Sequence, residues 1–332
     1  MSATSRIKGA LVGAVGAALR NRLATRALAP VLSGYQILTY HRVLPKADPL
    51  AMAAVDLAAF TEQMKLLKAC YNVISLDQLL AGLDGGNLVP GAICVTFDDG
   101  YRDNFEVAFP VLQALGIPAT LFVATDFIGG RGILWYDRVL QAFKDTRRSE
   151  FSLPEAGIAS QPLQGYVGTH PAYRVLEWLK AFPPADRNRK IESVFAALTL
   201  DGEPRCDLML DWDQIRTMRD AGVVFGPHTK SHPILSTVGP EENEAEILGS
   251  RQVLEAEVGR PARHFAYPNG RRGDYNDSSK AALKKGGFAT ALTTNPGVNP
   301  PGQDRYEIRR SQPWESSINR MHGRMVLEKA LG

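Results

Sequence analysis

Two histidines, His228 and His232, stand four residues apart in the segment HTKSHP, in a chain that has only six. That spacing occurs in zinc sites, and neutral imidazole suits zinc and similar transition ions. Two adjacent carboxylates, Asp98 and Asp99, stand in TFDDGY. Neighbouring carboxylates repel, and burying both is costly unless a cation offsets one of them. Taken alone, Asp-Asp-Gly is more often a turn than a site, and two histidines in one loop can be accidental. Together, two histidines and one carboxylate supply three protein ligands. That leaves positions for water and substrate, as catalytic metal sites require. The spare carboxylate is then free to take a proton from the attacking water.

What weighs against accident is placement. Asp98-Asp99-Gly100 follows the apolar run AICVTF (92–97), and His228 follows VVFGP (223–227). Tyr40-His41 ends and follows YQILTY (35–40), and Asn269-Gly270 follows HFAYP (264–268). With ATLFV (119–123) and FATALT (288–293), these runs have the length and the β-branched and aromatic content of buried strands. Helical stretches alternate with them. One starts at Asp56, with Leu57, Phe60, Met64 and Leu67 on one face. Another runs from about Asn104 to Leu115 and ends at Gly116, and Asp211 caps a third through Met218. A fourth, Glu241 to Val258, carries Ile247, Leu254 and Val258 and stops at Gly259. Alternation of this kind implies parallel strands and an α/β fold. In parallel barrels the carboxyl ends of the strands converge, so the four clusters can meet.

The stretch from about Arg131 to Arg205 breaks the rhythm, with helical pieces at Tyr173 to Phe182 and Asp186 to Leu198 but no clear strand. It is expected to be a helical insertion within a domain spanning residues 31–315, followed by a polar tail over 316–332. Residues 1–30 carry five basic residues (Arg6, Lys8, Arg20, Arg22, Arg26) and no acidic one. Their apolar centre is shorter than the roughly 20 residues a bilayer span needs. A basic amphipathic helix, with Ile7, Leu11, Val15 and Ala18 on one face, is expected to touch a membrane surface peripherally or to dock on the core. A signal peptide fits less well, because Arg20, Arg22 and Arg26 interrupt it. The expected location is cytoplasmic or peripheral to the membrane rather than secreted.

The formal charge of +3, with no basic stripe interleaved with aromatics, argues against nucleic acid as a partner. Three cysteines (Cys70, Cys94, Cys206) form no disulfide framework.

TFDDGY (96–101) and HTKSHP (228–233) resemble the first two motifs of the polysaccharide deacetylase, or NodB-homology, family. FAYPNG (265–270) resembles a variant of its third motif, and LTYHRV (38–43) is similar to branches acting on poly-N-acetylglucosamine. The resemblance spans about Tyr35 to Gln312, apart from the insertion. It implies a distorted, incomplete (β/α) barrel and metal-assisted hydrolysis of N-acetyl groups on an amino-sugar glycan. It implies Asp98 as catalytic base, and Asp99, His228 and His232 as ligands to a divalent metal, with zinc the default over cobalt, nickel or iron. It also implies the Tyr101 N–H as a donor to the oxyanion.

The chain departs from the family in two places. Near the third motif, Arg263 stands close to the place of the arginine that orients the base; Arg310, in YEIRRSQP, matches a late strand of some relatives but cannot readily supply the acid's proton, since a guanidinium does not deprotonate. The histidine that serves as general acid is missing after FATALT. His41 is the best replacement, since it follows a strand and imidazole titrates nearest neutrality; the alternatives are a hydrogen bond to the sugar, bracing of the first loop, or protonation of the amine by water with no protein acid. Asn269, Trp135 and Tyr136 are candidate substrate contacts. The two aromatics can stack on a sugar, or anchor the insertion to the barrel. Two rival functions stay open: a hydrolase of non-sugar amides on the same fold, and a catalytically degenerate carbohydrate-binding protein.

Overall fold

The six apolar runs form six parallel strands: β1 (Gln36–Tyr40), β2 (Ala92–Phe97), β3 (Ala119–Val123), β4 (Val224–Pro227), β5 (His264–Ala266) and β6 (Thr290–Leu292). The computed structural model describes residues 3–19, 34–51, 53–130, 132–166, 168–200, 202, 204, 207–315 and 317–331. Strands β1 to β4 are hydrogen-bonded in chain order, as are β5 and β6. An extended segment, Ile308 to Ser311, closes the gap between β6 and β1. Ile308 bridges Leu292 and Ser311 bridges Leu38, both in parallel sense. Among the described residues no ladder joins β4 to β5, although the strands lie close. A Cβ added at Gly226 would sit 2.5 Å from the His264 carbonyl oxygen. The result is a distorted barrel with fewer than eight units.

Strand β2 shows how one segment serves two layers. Ile93, Val95 and Phe97 point outward and pack with Leu38, Tyr40, Phe60 and Met64 under the helices. Cys94 points inward with Ile37, Phe122, Ala266 and Leu292. Residues of period two therefore line two apolar faces, which is why the run shows no polar alternation. The helix Leu76–Asp84 starts at a Ser75–Gln78 capping box. Its Leu76 and Leu79 join the interior cluster beside Tyr35 and Ala92, at the strand starts. That end of the barrel is plugged, and the carboxyl ends of the strands carry the cleft.

The expected helices fall where their caps place them. Asp56 accepts from the Ala59 N–H at 2.8 Å and starts Leu57–Cys70. Asp211 caps Trp212–Asp220, and Gly259 ends Pro240–Val258 with φ +66°. The helix expected from Asn104 opens as a π-turn, Asn104–Ala108, before Phe109–Leu115.

Two expectations need correction. The insertion is not wholly helical. Besides helices Trp135–Asp145, Pro171–Leu179 and Pro184–Ala197, it holds an antiparallel hairpin of Glu150–Leu153 with Ile158–Pro162. Only Phe151 and Leu153 of its first strand are buried, so the strand carries too few apolar residues to stand out. The insertion has its own apolar core, continuous with the barrel through Tyr101 and Ala124. The segment after residue 316 is no polar tail either. Helix Ile318–Leu331 sends Met321 and Met325 into the main core.

The N-terminal helix Ala3–Leu19 lies along that C-terminal helix. The two meet at glycines: a Cβ on Gly16 would lie 1.8 Å from the Asn319 carbonyl oxygen, and one on Gly323 1.9 Å from that of Val12. Leu11 remains 62% exposed. No described helix is long and apolar enough to cross a membrane. Arg20, Arg22, Arg26 and Cys206 lie outside the described residues.

Candidate metal centre and active site

A cleft of about 470 Å³ opens at the carboxyl ends of the strands, and His41, Asp98, Asp99, Tyr101, Tyr136, His228, His232, Asn269 and Arg310 all line it. They arrive from the ends of several structural units. Asp98 and Asp99 leave β2, His228 leaves β4, and His41 leaves β1. Ala53, Asp99, Thr229, His232 and Asn269, which line the cleft or its histidine loop, have positive φ, as does Thr199 elsewhere; these are the six such non-glycine residues among those described. That conformation costs about 1–3 kcal/mol per residue and persists only where surroundings impose it.

Asp99 is fully buried, and its Oδ1 lies 3.5 Å from His228 Nε2 and 3.3 Å from His232 Nε2. His228 Nδ1 lies 2.7 Å from the Ala266 carbonyl, which can only accept, so Nδ1 carries the proton. Burial pushes the His228 imidazole down to about 4, against the pull of Asp98 and Asp99. The ring is therefore neutral near pH 7, and its Nε2 lone pair faces a carboxylate oxygen. Two acceptors held this close without a proton between them call for a cation. Two ligand atoms about 2.1 Å from zinc at a tetrahedral angle are roughly 3.4 Å apart, which matches both separations. The ligand atoms of all three residues lie within 4.8 Å of one another, and this donor set fits a divalent cation of nitrogen and oxygen preference.

Asp98 has a different partner. Arg310 donates from Nη1 to Oδ1 and from Nη2 to Oδ2, both at 2.7 Å. Its remaining donors reach the Thr293 carbonyl at 2.9 Å and Thr96 Oγ1 at 3.2 Å. Both side chains are essentially inaccessible to solvent. Burial alone would raise the Asp98 carboxyl, but the Arg310 guanidinium, with His228 and His41 adding to it, holds it below the ordinary value. The carboxylate is thus charged, oriented and ready to accept a proton. Arg263 plays no such part: it lies on the surface and pairs with Asp77.

The histidine loop is braced from outside. Glu246, on helix Pro240–Val258, accepts from the Lys230 and Ser231 N–H groups at 2.8 and 2.9 Å and from Ser231 Oγ at 2.7 Å. Sequence inspection passed over Glu246, because one glutamate in an acidic helix carries no local mark. Asn104 donates to the His41 carbonyl at 2.8 Å and fixes the first loop. His41 Nδ1 is buried without a partner among the described residues, as is Asn269 Nδ2.

The two insertion aromatics separate. Trp135 is packed in the insertion core under the Arg187 guanidinium, 4.6 Å from the ring centroid, and does not reach the cleft. Tyr136 does reach it, its ring edge-on to His232 at 5.5 Å. Glu177 and Lys180 from the insertion, with Arg271, Asp274 and the 54% exposed Trp314, form the rim. None of these five was picked out from sequence; exposed charges carry no pattern until the insertion is seen to lean over the barrel mouth.

Comparison with known proteins finds relatives in sequence and in fold. The family model for polysaccharide deacetylase matches residues 85–291. The Bacillus subtilis protein YxkH is 21% identical over 218 residues, which is 66% of this chain and 50% of that protein. The poly-beta-1,6-N-acetyl-D-glucosamine N-deacetylase of Escherichia coli K12 is 33% identical over 89 residues, 26% of this chain and 13% of that enzyme. The chain thus spans half the length or less of these curated relatives. Among solved structures, the Streptococcus pyogenes deacetylase PplD in complex with acetate matches with a TM-score of 0.59 and 19% identity, over 89% of this chain and 97% of that one.

Proposed function

Because the chain belongs to the polysaccharide deacetylase family, we propose that it hydrolyses N-acetyl groups on an amino-sugar oligosaccharide or polysaccharide, releasing acetate. One observation carries this reading: the cleft joins an Asp-His-His cation site to a separate carboxylate, Asp98, held by Arg310. Two adjacent aspartates thereby take two roles.

Asp99, His228 and His232 would hold the metal, with zinc the first choice for such ligands. When bound, a divalent cation supplies Lewis acidity, polarising the acetyl carbonyl and acidifying a water molecule. Asp98 accepts the proton from that water as it attacks, and Arg310 keeps the carboxylate turned toward it. The Tyr101 N–H, which makes no hydrogen bond among the described residues, is free to donate to the oxyanion. His41 is the proton donor to the leaving amine. Asn269 and the rim, with Trp314 as a stacking surface, would hold the sugar.

The test is acetate release from N-acetylglucosamine oligomers, with and without chelator, alongside two variants. Asp98→Asn should abolish release and keep the metal; Asp99→Asn should lose both. Equal metal loss in the two variants overturns the division of roles. Turnover of simple aryl amides but not of the oligomers points to the non-sugar hydrolase, and bound metal with no turnover on either to a binding protein.

A further inference from the structure

The first helix of the insertion, Trp135–Asp145, reaches the site through two consecutive residues. Asp137 accepts a hydrogen bond from the Tyr101 hydroxyl at 2.8 Å, beneath the cleft. Tyr136, one residue earlier on the same helix, turns toward the cation site. Its ring stands edge-on to His232, and Asp99 is its foremost charged neighbour. The Tyr136 residue is only 5% exposed, and its hydroxyl is buried with no hydrogen-bond partner among the described residues. The Tyr101 hydroxyl lies near it but outside hydrogen-bond geometry.

A buried phenol normally finds a partner, and leaving one without is destabilising. The Tyr136 side chain lines the cleft, so the partner it lacks can be a ligand atom there. Near Asp99 and His232 that ligand atom would be an oxygen with negative charge, since a neutral phenol facing it offers an O–H.

We propose that Tyr136 is a catalytic residue whose hydroxyl donates a hydrogen bond to the acetyl oxygen, alongside the Tyr101 N–H. The inference rests on the deacetylase reading for the identity of that oxygen. The donor comes from the insertion and not from the barrel, so the insertion completes the site as well as walling it. Asp137 assists as a positioning residue: it holds Tyr101 by the hydroxyl, while the Tyr101 backbone faces the same oxygen. No proton leaves Tyr136, and the hydrogen bond strengthens as charge gathers on the oxygen.

The experiment compares the full-length, zinc-loaded wild type with Tyr136→Phe, which keeps the ring against His232 and removes one oxygen atom. Acetate binding is measured by calorimetric titration, zinc content by elemental analysis, and acetate release from N-acetylglucosamine oligomers by steady-state kinetics. The expected result is unchanged zinc content, acetate affinity lower by about tenfold, a loss typical of a hydrogen bond to a charged group, and kcat lower by about 10²-fold with KM little changed. Acetate affinity within twofold of wild type overturns the proposal, whether or not the wild type releases acetate. A wild type that binds acetate through Tyr136 but releases none from the oligomers leaves the donor role supported and sinks the substrate reading instead. If Tyr136→Phe lost zinc, the hydroxyl would be bracing the ligands, and the proposal would fall.

Discussion

Arg310 meets Asp98 edge to edge, two nitrogens on two oxygens at 2.7 Å, across 212 positions of sequence. The arginine sits on the short segment that closes the barrel between β6 and β1, so closure of the fold and orientation of the carboxylate are one event. A buried charge left without its partner costs about 3–5 kcal/mol. Arg310→Met should therefore lower the melting temperature and abolish acetate release. Arg310→Lys should keep the fold but lose the two-pronged grip, lowering kcat by at least tenfold. Arg263→Ala, on the surface, should leave kcat within twofold. A reversal of that ranking would remove Arg310 from the site's machinery.

His41 is the proposed proton donor: besides it, the described cleft holds no histidine other than the two candidate metal ligands. His41→Ala should retain metal and fold while kcat drops by about 10²-fold, the low end for a lost general acid. One limb of the pH–rate profile should disappear with it. A variant with wild-type kcat and an unchanged profile would mark His41 as a brace for the first loop.

Glu246 touches no ligand side chain, yet it holds the loop on which both histidines stand. Groups that orient ligands from outside typically govern 10–100-fold in metal affinity. Glu246→Ala should weaken zinc binding by at least tenfold in a chelator competition titration, with little change in melting temperature of the metal-free protein. Unchanged affinity would show that the loop holds its shape unaided.

Asp137 carries a pH signature. Burial raises its carboxyl from 3.8 to about 7, against the pull of Arg42 and the Tyr101 hydroxyl. The folded state thus binds the proton more tightly than the unfolded chain. Stability from this group is full below about pH 4 and is lost as pH rises toward and through 7. Asp137→Asn, which can still accept from Tyr101, should gain in melting temperature relative to wild type across that window. Parallel melting curves from pH 4 to 8 would contradict the assignment.

The sequence by itself determined the barrel strands, most of their helices and the identities of the polar residues that follow the strands. Both kinds of signal are local. A strand buried on two faces must be apolar throughout, as AICVTF is, and a helix must start at a cap such as Asp56 or Asp211. In a parallel barrel, residues just past the strand ends gather without further instruction, so Asp98, Asp99, His228 and His232 could be grouped from their placement alone. Only the tertiary structure decided which arginine serves Asp98. Arg263 is near the third motif in sequence, whereas Arg310 gains its place from the pairing of Ile308 and Ser311 with strands far away in the chain. The same holds for Trp135 and Tyr136. Adjacent helical positions point about 100° apart, so one aromatic fills the insertion core while its neighbour reaches the cleft. The facing direction of a side chain depends on what its helix packs against, and that packing is set by contacts no local pattern encodes.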